Sequence, residues 1–398
     1  MNQGGDLRVV RFRSTSEILE IKSDWDACVN ESDGDVFFLS DWVDSWCRHY
    51  ANGKDFVGLC FYSDNRLVGV LPFYVDKLFL GFSLARLAAT DINYAVLALP
   101  ILPEYAEAVL ARSFTILTSE LGYDGVVMSP LSSLCPALAT IESVTQRIGL
   151  NNIKSSNREH MVFRLPDSFE AYVAGLSKRR RKNYRRDLSA AQRSSGMVRK
   201  LATAETASEC LDAFIDMHQS QWTAIGRGGH FGDWPLNAVL YRDIVPRLVA
   251  SGHAIIHEIW IDNRRVASQL GFRKRDWFYW RMTARVGDDD SDVMSLGTLG
   301  IMDCIAFLIE NGISQVEDGA GNYAYKSSGG GEIVSLSGVI ISPKRALTAF
   351  RLLLLLRTSK LLDLVYYRIW FKKIDPYLRR LTRAKPRSLW WVWIRTRL

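Results

Sequence analysis

Residues 253–274 read HAIIHEIWIDNRRVASQLGFRK. Two runs rich in apolar and β-branched residues, 253–261 and 265–274, flank Asp262-Asn263-Arg264. Asp and Asn tolerate the left-handed backbone that a tight antiparallel turn demands, so the stretch predicts a β-hairpin. An earlier stretch has the same design. FVGLCFY (56–62) and RLVGVLPFYV (66–75) are split by Ser63-Asp64-Asn65. Pro72 has no N–H for a ladder, which predicts an edge strand or a bulge there. Outward from each hairpin the order recurs. In the first half a helix over 104–121, closed by Gly122, precedes a short strand over 124–130. In the second half a further strand over 276–286 leads through SLGTLG (295–300) to a helix over 299–311 and a strand over 314–321. The matching order predicts a duplicated α/β unit with a mixed, partly parallel sheet and helices on both faces. The remaining pattern predicts helices over 17–30, 39–51, 136–148, 168–196, 206–224 and 235–251. It predicts extended chain over 84–98, 159–166, 197–203 and 332–342. The domain boundaries expected are 1–166, 167–342 and a tail over 343–398.

Composition removes several classes. Of the 398 residues, 48% are hydrophobic and 23% charged, which excludes a disordered chain. No apolar run approaches the roughly 20 residues of a membrane span, and the N-terminus lacks the apolar centre of a secretory signal. The six cysteines, at 28, 47, 60, 135, 210 and 304, form no CxxC pair and no zinc spacing. Reduced, buried thiols in a cytoplasmic protein are expected, and no metal. The six histidines are dispersed, and the chain has no GxSxG elbow, no P-loop and no HExxH, so hydrolase, NTPase and metalloprotease chemistry has no motif to rest on.

Charge is unevenly placed. The whole chain is +7, yet residues 343–398 hold 15 Lys/Arg against Asp363 and Asp375. The tail is therefore +13 and residues 1–342 are −6, which undercuts a general nucleic-acid-binding reading. Trp370, Trp390, Trp391 and Trp393 lie in the same tail. Cations mixed with Trp and Leu suit the surface of an anionic membrane. A packed helical extension with solvated charges and an RNA-binding tail are the alternatives.

FFLSDWVDSWCRHY and the first hairpin, then LSKRRRKNYRRDL, the second hairpin, FYWRMTA, SLGTLG and DGAGNYAYKSSGGGE follow one another over about 300 residues. In that order they resemble the tandem GNAT-like acyltransferases associated with cellulose or exopolysaccharide biosynthesis, a family related to the Fem-type transferases. The resemblance implies two tandem GNAT-like domains with the acyl donor, an acyl-CoA such as acetyl-CoA, held mainly by the second. It also implies transfer to an amine or hydroxyl of a cell-envelope or exopolysaccharide precursor, a small molecule or lipid-linked glycan. A carrier protein's pantetheine arm or an aminoacyl-tRNA, as in Fem-type enzymes, is an alternative donor. A non-catalytic scaffold in polysaccharide assembly is the reading from another class. The location expected is cytoplasmic, peripheral on the inner membrane face.

Candidate site residues follow. Ser295, Gly297, Thr298 and Gly300 open a helix whose backbone N–H groups could cradle phosphate, although no Lys or Arg stands inside the turn. Seven cations, among them Lys178, Arg179, Arg181 and Arg185, fall within nine positions of a helix, more than a solvated face needs. They suit an anionic donor, a lipid-linked glycan or tRNA phosphates. After the last strand of the second half, Asp318 could act as base or orient the acceptor, Tyr325 could protonate the thiolate, and Lys326 could hold an anion. Glu317 and Asp318 cannot share a face while that strand stays extended. His218 and Trp222 share a helical face with Gln221, and Arg281 on its strand could line the cleft. Since no activated nucleophile stands out, direct attack without a covalent enzyme intermediate is expected.

Overall fold

A computed structural model describes residues 7–78, 81–88, 95–193, 196–226, 228–233, 235–287, 295–320, 331–374 and 377–378. Tyr325 and Lys326 lie outside them. The chain is a mixed α/β protein with two compact units, residues 1–158 with 334–372 and residues 159–333.

The first unit has strands β1 (Arg8–Phe12), β2 (Phe56–Ser63), β3 (Arg66–Lys77), β4 (Ser83–Leu87) and β5 (Gly125–Ser132) in that spatial order. It is completed beyond β5 by β12 (Glu332–Ser342), which runs antiparallel to it. Helices α1 (Thr15–Glu20), α2 (Lys22–Glu31), α3 (Ser40–Tyr50), α4 (Ala106–Thr115) and α5 (Ala137–Arg147) surround the sheet. The turn between β2 and β3 places Asp64 and Asn65 at φ 46° and 67°, as the sequence reading requires. Pro72 departs from expectation, because β3 lies between β2 and β4 and the irregularity in its ladder is at Phe61/Tyr62. The β3–β4 register begins at Phe73↔Leu87, and one residue beyond it Pro72 O accepts from the Ala88 amide at 2.8 Å, so Pro72, which has no N–H to return, stands where that ladder ends. Trp25, Trp42 and Trp46 are buried between helices and sheet.

The second unit has β6 (Asn151–Arg164), β11 (Gln315–Ala320), β10 (Trp277–Arg285), β9 (Arg264–Lys274), β8 (Ala254–Ile261) and β7 (Met197–Leu201) in that spatial order; β6 begins in the first unit and enters the second at residue 159. Asp262 and Asn263 turn between β8 and β9 at φ 50° and 59°. Helices α6 (Phe169–Gly175), α7 (Lys178–Arg193) and α11 (Leu296–Glu310) cover one face, and α8 (Ala207–Ala224), α9 (Gly229–Asp233) and α10 (Pro235–Ala250) the other. The single helix expected over 168–196 is two. Ser168 caps α6 by accepting from the Ala171 amide at 3.1 Å, and Leu176 is extended (ψ 154°), which ends the first helix before Lys178. Arg181 then donates to the carbonyls of Ala174 and Leu176, closing the break. The helix expected from 299 begins three residues earlier, with Ser295 at its N-cap. All six cysteines are buried, and none forms a disulfide.

Candidate active site

The site begins where two strands part. β10 and β11 run parallel through only three pairs, Trp277↔Gln315, Phe278↔Val316 and Tyr279↔Glu317. Beyond them each strand carries an irregularity against its outer neighbour. On β10, Arg281 is the extra residue between Trp280↔Gly271 and Met282↔Leu270. On β11, Asp318 and Gly319 oppose a single residue of β6, with Gly319 at φ 70°, where only glycine is unstrained. Bulges turn strands out of register, so the ladder stops and the two strands separate.

The bulges are tied together on the side away from α11. Glu317 is fully buried; its Oε1 accepts the Gly319 amide at 3.0 Å and lies 3.3 Å from His160 Nδ1. Arg281 Nη1 sits 3.8 Å from Glu317 Oε2, with both side chains buried. A buried carboxylate without cationic and hydrogen-bonding partners would cost several kcal/mol. The pairing of Glu317 therefore fixes its face, and strand alternation turns Asp318 to the other.

On that other side lies a cavity of about 530 Å³, within the range of small-molecule sites. Phe163, Leu165, Trp280, Ile305 and Val316 give it apolar walls, and Asp318 lines it from β11. α11 contributes Ser295, Gly297 and Thr298 from its first turn. That turn has no acidic residue, and the Ser295 hydroxyl meets Thr298 Oγ1 at 2.8 Å instead of capping the helix. The first N–H groups of a helix have no partner inside it, and together with the helix dipole they attract an anion. A Cβ on Gly297 would meet Arg285 Cδ at 3.2 Å. α7 supplies Arg179 and Arg180, cations the α11 turn itself lacks. The arrangement fits a ligand with a phosphate-rich part and a less polar arm.

Ser295, Gly297, Thr298, Arg179 and Asp318 are thus brought together. Gly300 lies behind them, where a Cβ would meet Gln269 Nε2 at 2.8 Å and Ala267 Cβ at 2.9 Å; it lets α11 sit close on β9. Lys178 and Arg185 are exposed on α7, and Arg181 serves the α6–α7 break; none of the three lines the cavity. Arg281 is in the buried pair. His218 and Trp222 stand on α8, across the sheet, among Phe214 and Phe231. Trp222 Nε1 donates to His218 Nε2 at 3.1 Å, and burial pushes the imidazole down to about 4, so it is neutral at physiological pH.

Sequence reasoning missed Tyr172, Asn183, Tyr184 and Asp187, all on the cavity wall. Burial pushes the Tyr172 phenol up, with the Arg180 charge opposing and the Asp318 charge adding, so it keeps its proton. Arg180, Asn183, Tyr184 and Asp187 are spaced i, i+3, i+4, i+7, one face of α7. That spacing was in the sequence, hidden under the density of cations.

Residues 178–327 match the family of acetyltransferase (GNAT) domains. The match covers the cation-rich helix, both strands that part and the α11 turn, so this segment is a GNAT-type domain and the protein an acyltransferase. No curated protein matches the chain. Among solved structures it is similar to FemX, at 10% identity over 83% of this chain and 96% of that one, with a TM-score of 0.57; the likeness is one of fold. L-PGS from Bacillus licheniformis aligns at 12% identity over 83% of this chain and 95% of its own, with a TM-score of 0.48.

Proposed function

We propose that the second unit transfers an acyl group from an acyl-CoA-type thioester, acetyl-CoA in the simplest case, to an amine or hydroxyl of a cell-envelope or exopolysaccharide precursor. One observation carries this: the first turn of α11, Arg179 and Arg180, and Asp318 all face a single cavity between parted strands. The helix turn and the two arginines would hold donor phosphates, and the apolar walls the thioester arm. The acceptor nitrogen or oxygen attacks the thioester carbonyl carbon; the new C–N or C–O bond forms and the C–S bond breaks. Asp318 takes or orients the acceptor's proton, and the thiolate leaves with a proton from a neutral donor, for which protonated Tyr172 and Tyr325 are the candidates. Lys326 keeps its proposed role of holding an anion. The +13 tail supports a place on an anionic membrane surface, which for an envelope precursor as acceptor would be the cytoplasmic face.

An aminoacyl-tRNA donor is the second reading. Exposed Lys178, Lys182 and Arg185, outside the cavity lining, favour it. Calorimetry with acetyl-CoA and with charged tRNA separates the two. Acetyl-CoA should bind, and Asp318→Asn should lower turnover by roughly 10²-fold with donor affinity unchanged, as for loss of a general base. Binding of charged tRNA with no heat from acetyl-CoA would sink the first reading.

A further inference from the structure

The helix after β12, α12 (Ala346–Leu362), has two apolar faces. One is occupied: Leu352 and Leu355 are buried against Phe82, Leu84, Val127 and Ile340 of the first unit. The other is open. Leu347 is 60% exposed, Phe350 62%, Leu354 39% and Leu361 59%. At about 100° per residue these four fall in a stripe about 60° wide, on the far side of the helix from the buried residues. Arg357 is exposed at one border of the stripe, and Leu353, 47% exposed, and exposed Lys360 lie further round on the same side. The π-helical segment Asp363–Ile374 continues the pattern, with Leu364 and Val365 each 50% exposed and Trp370 42%. Large apolar side chains this exposed in a row mark a surface that something covers.

Charge selects what covers it. From 344 to 374 the sequence holds eight Lys/Arg and one acid, Asp363, and from 377 to 398 seven more Lys/Arg and no acid. A second copy would set two strongly basic faces against each other, and the chain's own last residues carry the same sign, so both are disfavoured. An anionic lipid surface satisfies both halves of the pattern. The Leu and Phe side chains enter the boundary between headgroup and acyl chain, while Arg357 and Lys360 extend to lipid phosphates.

We propose that the outer face of α12, centred on Leu347, Phe350, Leu354 and Leu361, docks the protein on an anionic membrane. The inference rests on the membrane location suggested above and assigns the surface that makes it. This face belongs to a helix anchored in a folded core through Leu352 and Leu355. Among the described residues no helix is long and apolar enough to cross a membrane, so the docking proposed is peripheral.

The test uses the full chain in co-sedimentation with phosphatidylcholine vesicles, with and without about a quarter phosphatidylglycerol. Three variants are compared: Phe350→Glu/Leu354→Glu, Arg357→Ser/Lys360→Ser, and Trp390→Ser/Trp391→Ser/Trp393→Ser. Both α12 pairs are exposed, and an unchanged melting temperature confirms folding. The proposal expects binding to anionic vesicles only, reduced tenfold or more by the Glu pair and several-fold by the Ser pair or by raised salt. Binding that survives the Glu pair but is lost with the three tryptophans would overturn the α12 assignment while keeping the membrane location. No binding to anionic vesicles, or equal binding to neutral ones, would overturn both. A dimer in solution that the Glu pair dissociates would show a second copy as the occupant and overturn the proposal. Acetyl-CoA affinity, measured alongside, reports on acyl transfer independently.

Discussion

The two units carry the same device and treat it differently. Each has a parallel pair of strands that lasts three residues: Leu84↔Gly125 to Arg86↔Val127 in the first, Trp277↔Gln315 to Tyr279↔Glu317 in the second. Each pair is bridged by a helix, α4 or α11. In the second unit the strands part into a cavity. In the first, residues 95–102 run through the corresponding gap. Val96 takes up the parallel pairing beside β5, donating to Pro130 O and accepting from the Ser132 amide, both at 2.9 Å. Pro100 and Leu102 then bond to Val70 and Val68 of β3. Buried Asp35 pins the insert by accepting the Leu97 amide at 2.8 Å and donating its own N–H to Ala98 O. Gly34 allows the close approach, since a Cβ there would meet Pro100 Cα at 2.8 Å. The helices differ to match. α4 carries Glu107 in its first turn and follows Glu104, whereas the first turn of α11 has no acid. An acidic first turn repels a phosphate that an uncharged one would attract. One architecture therefore yields a filled unit and an open one, and the difference lies in a connecting segment and a few charges.

The largest effect that could break this contrast concerns the tie between the bulges. Arg281→Leu leaves Glu317 buried without its cation, and a loss of about 3–5 kcal/mol of stability is expected in denaturant unfolding. A loss below about 1 kcal/mol would mean that the tie does not hold the strands apart. Next comes Gly297→Asp, which puts bulk and negative charge at the α11 turn. Acetyl-CoA affinity should fall by roughly 10²-fold, the scale of charged hydrogen bonds removed, while Glu107→Lys in the first unit leaves it unchanged. Equal effects from both would erase the distinction between the helices.

These features were unequally legible in the sequence. The hairpins were, because Asp64-Asn65 and Asp262-Asn263 set their turns through local backbone preference alone. The order of the main helices and strands followed from hydrophobic period for the same reason, but β1, α9 and the breaks that divide 17–30 and 168–196 into two helices each did not. The parting of β10 and β11 was not. Arg281 and Gly319 become bulge residues only through register with β9 and β6, which no local pattern contains. The fate of Arg281, a cation expected to line the cleft, depended on a carboxylate 36 positions away in the chain. Within the candidate site, the helix-opening SLGTLG string pointed to Ser295, Gly297 and Thr298. The cation run drew attention from the 180, 183, 184, 187 face that reaches the cavity.

Smaller effects sharpen the comparison. Asp35→Ala should strand the buried Leu97 amide, costing about 1–3 kcal/mol of stability with donor affinity unchanged. A drop in donor affinity would mean that the filled gap also takes part in binding. The smallest effect is a pH dependence confined to the α8 face of the second unit. Burial holds His218 at about 4 in the folded protein, below the ordinary 6.5, so the unfolded chain takes up the proton first. That stability is present above pH 6.5 and declines as the pH falls towards 4, by about 1 kcal/mol between pH 6.5 and 5.5. His218→Phe should flatten this part of the profile. A profile that stays unchanged would show that the imidazole is not desolvated as the structure has it.

The position of β12 bears on how the chain can be made and cut. Ile341, Ile340 and Val339 pair with Val126, Val127 and Met128, so the sheet of the first unit waits for a strand synthesised some 200 residues after β5. A nascent chain stopped between the two would display the β5 edge, an invitation to pairing with other chains. The first unit therefore cannot be released as a fragment by cleavage near residue 166. Whatever the ribosome has folded by that point holds an unfinished sheet until Glu332–Ser342 emerges.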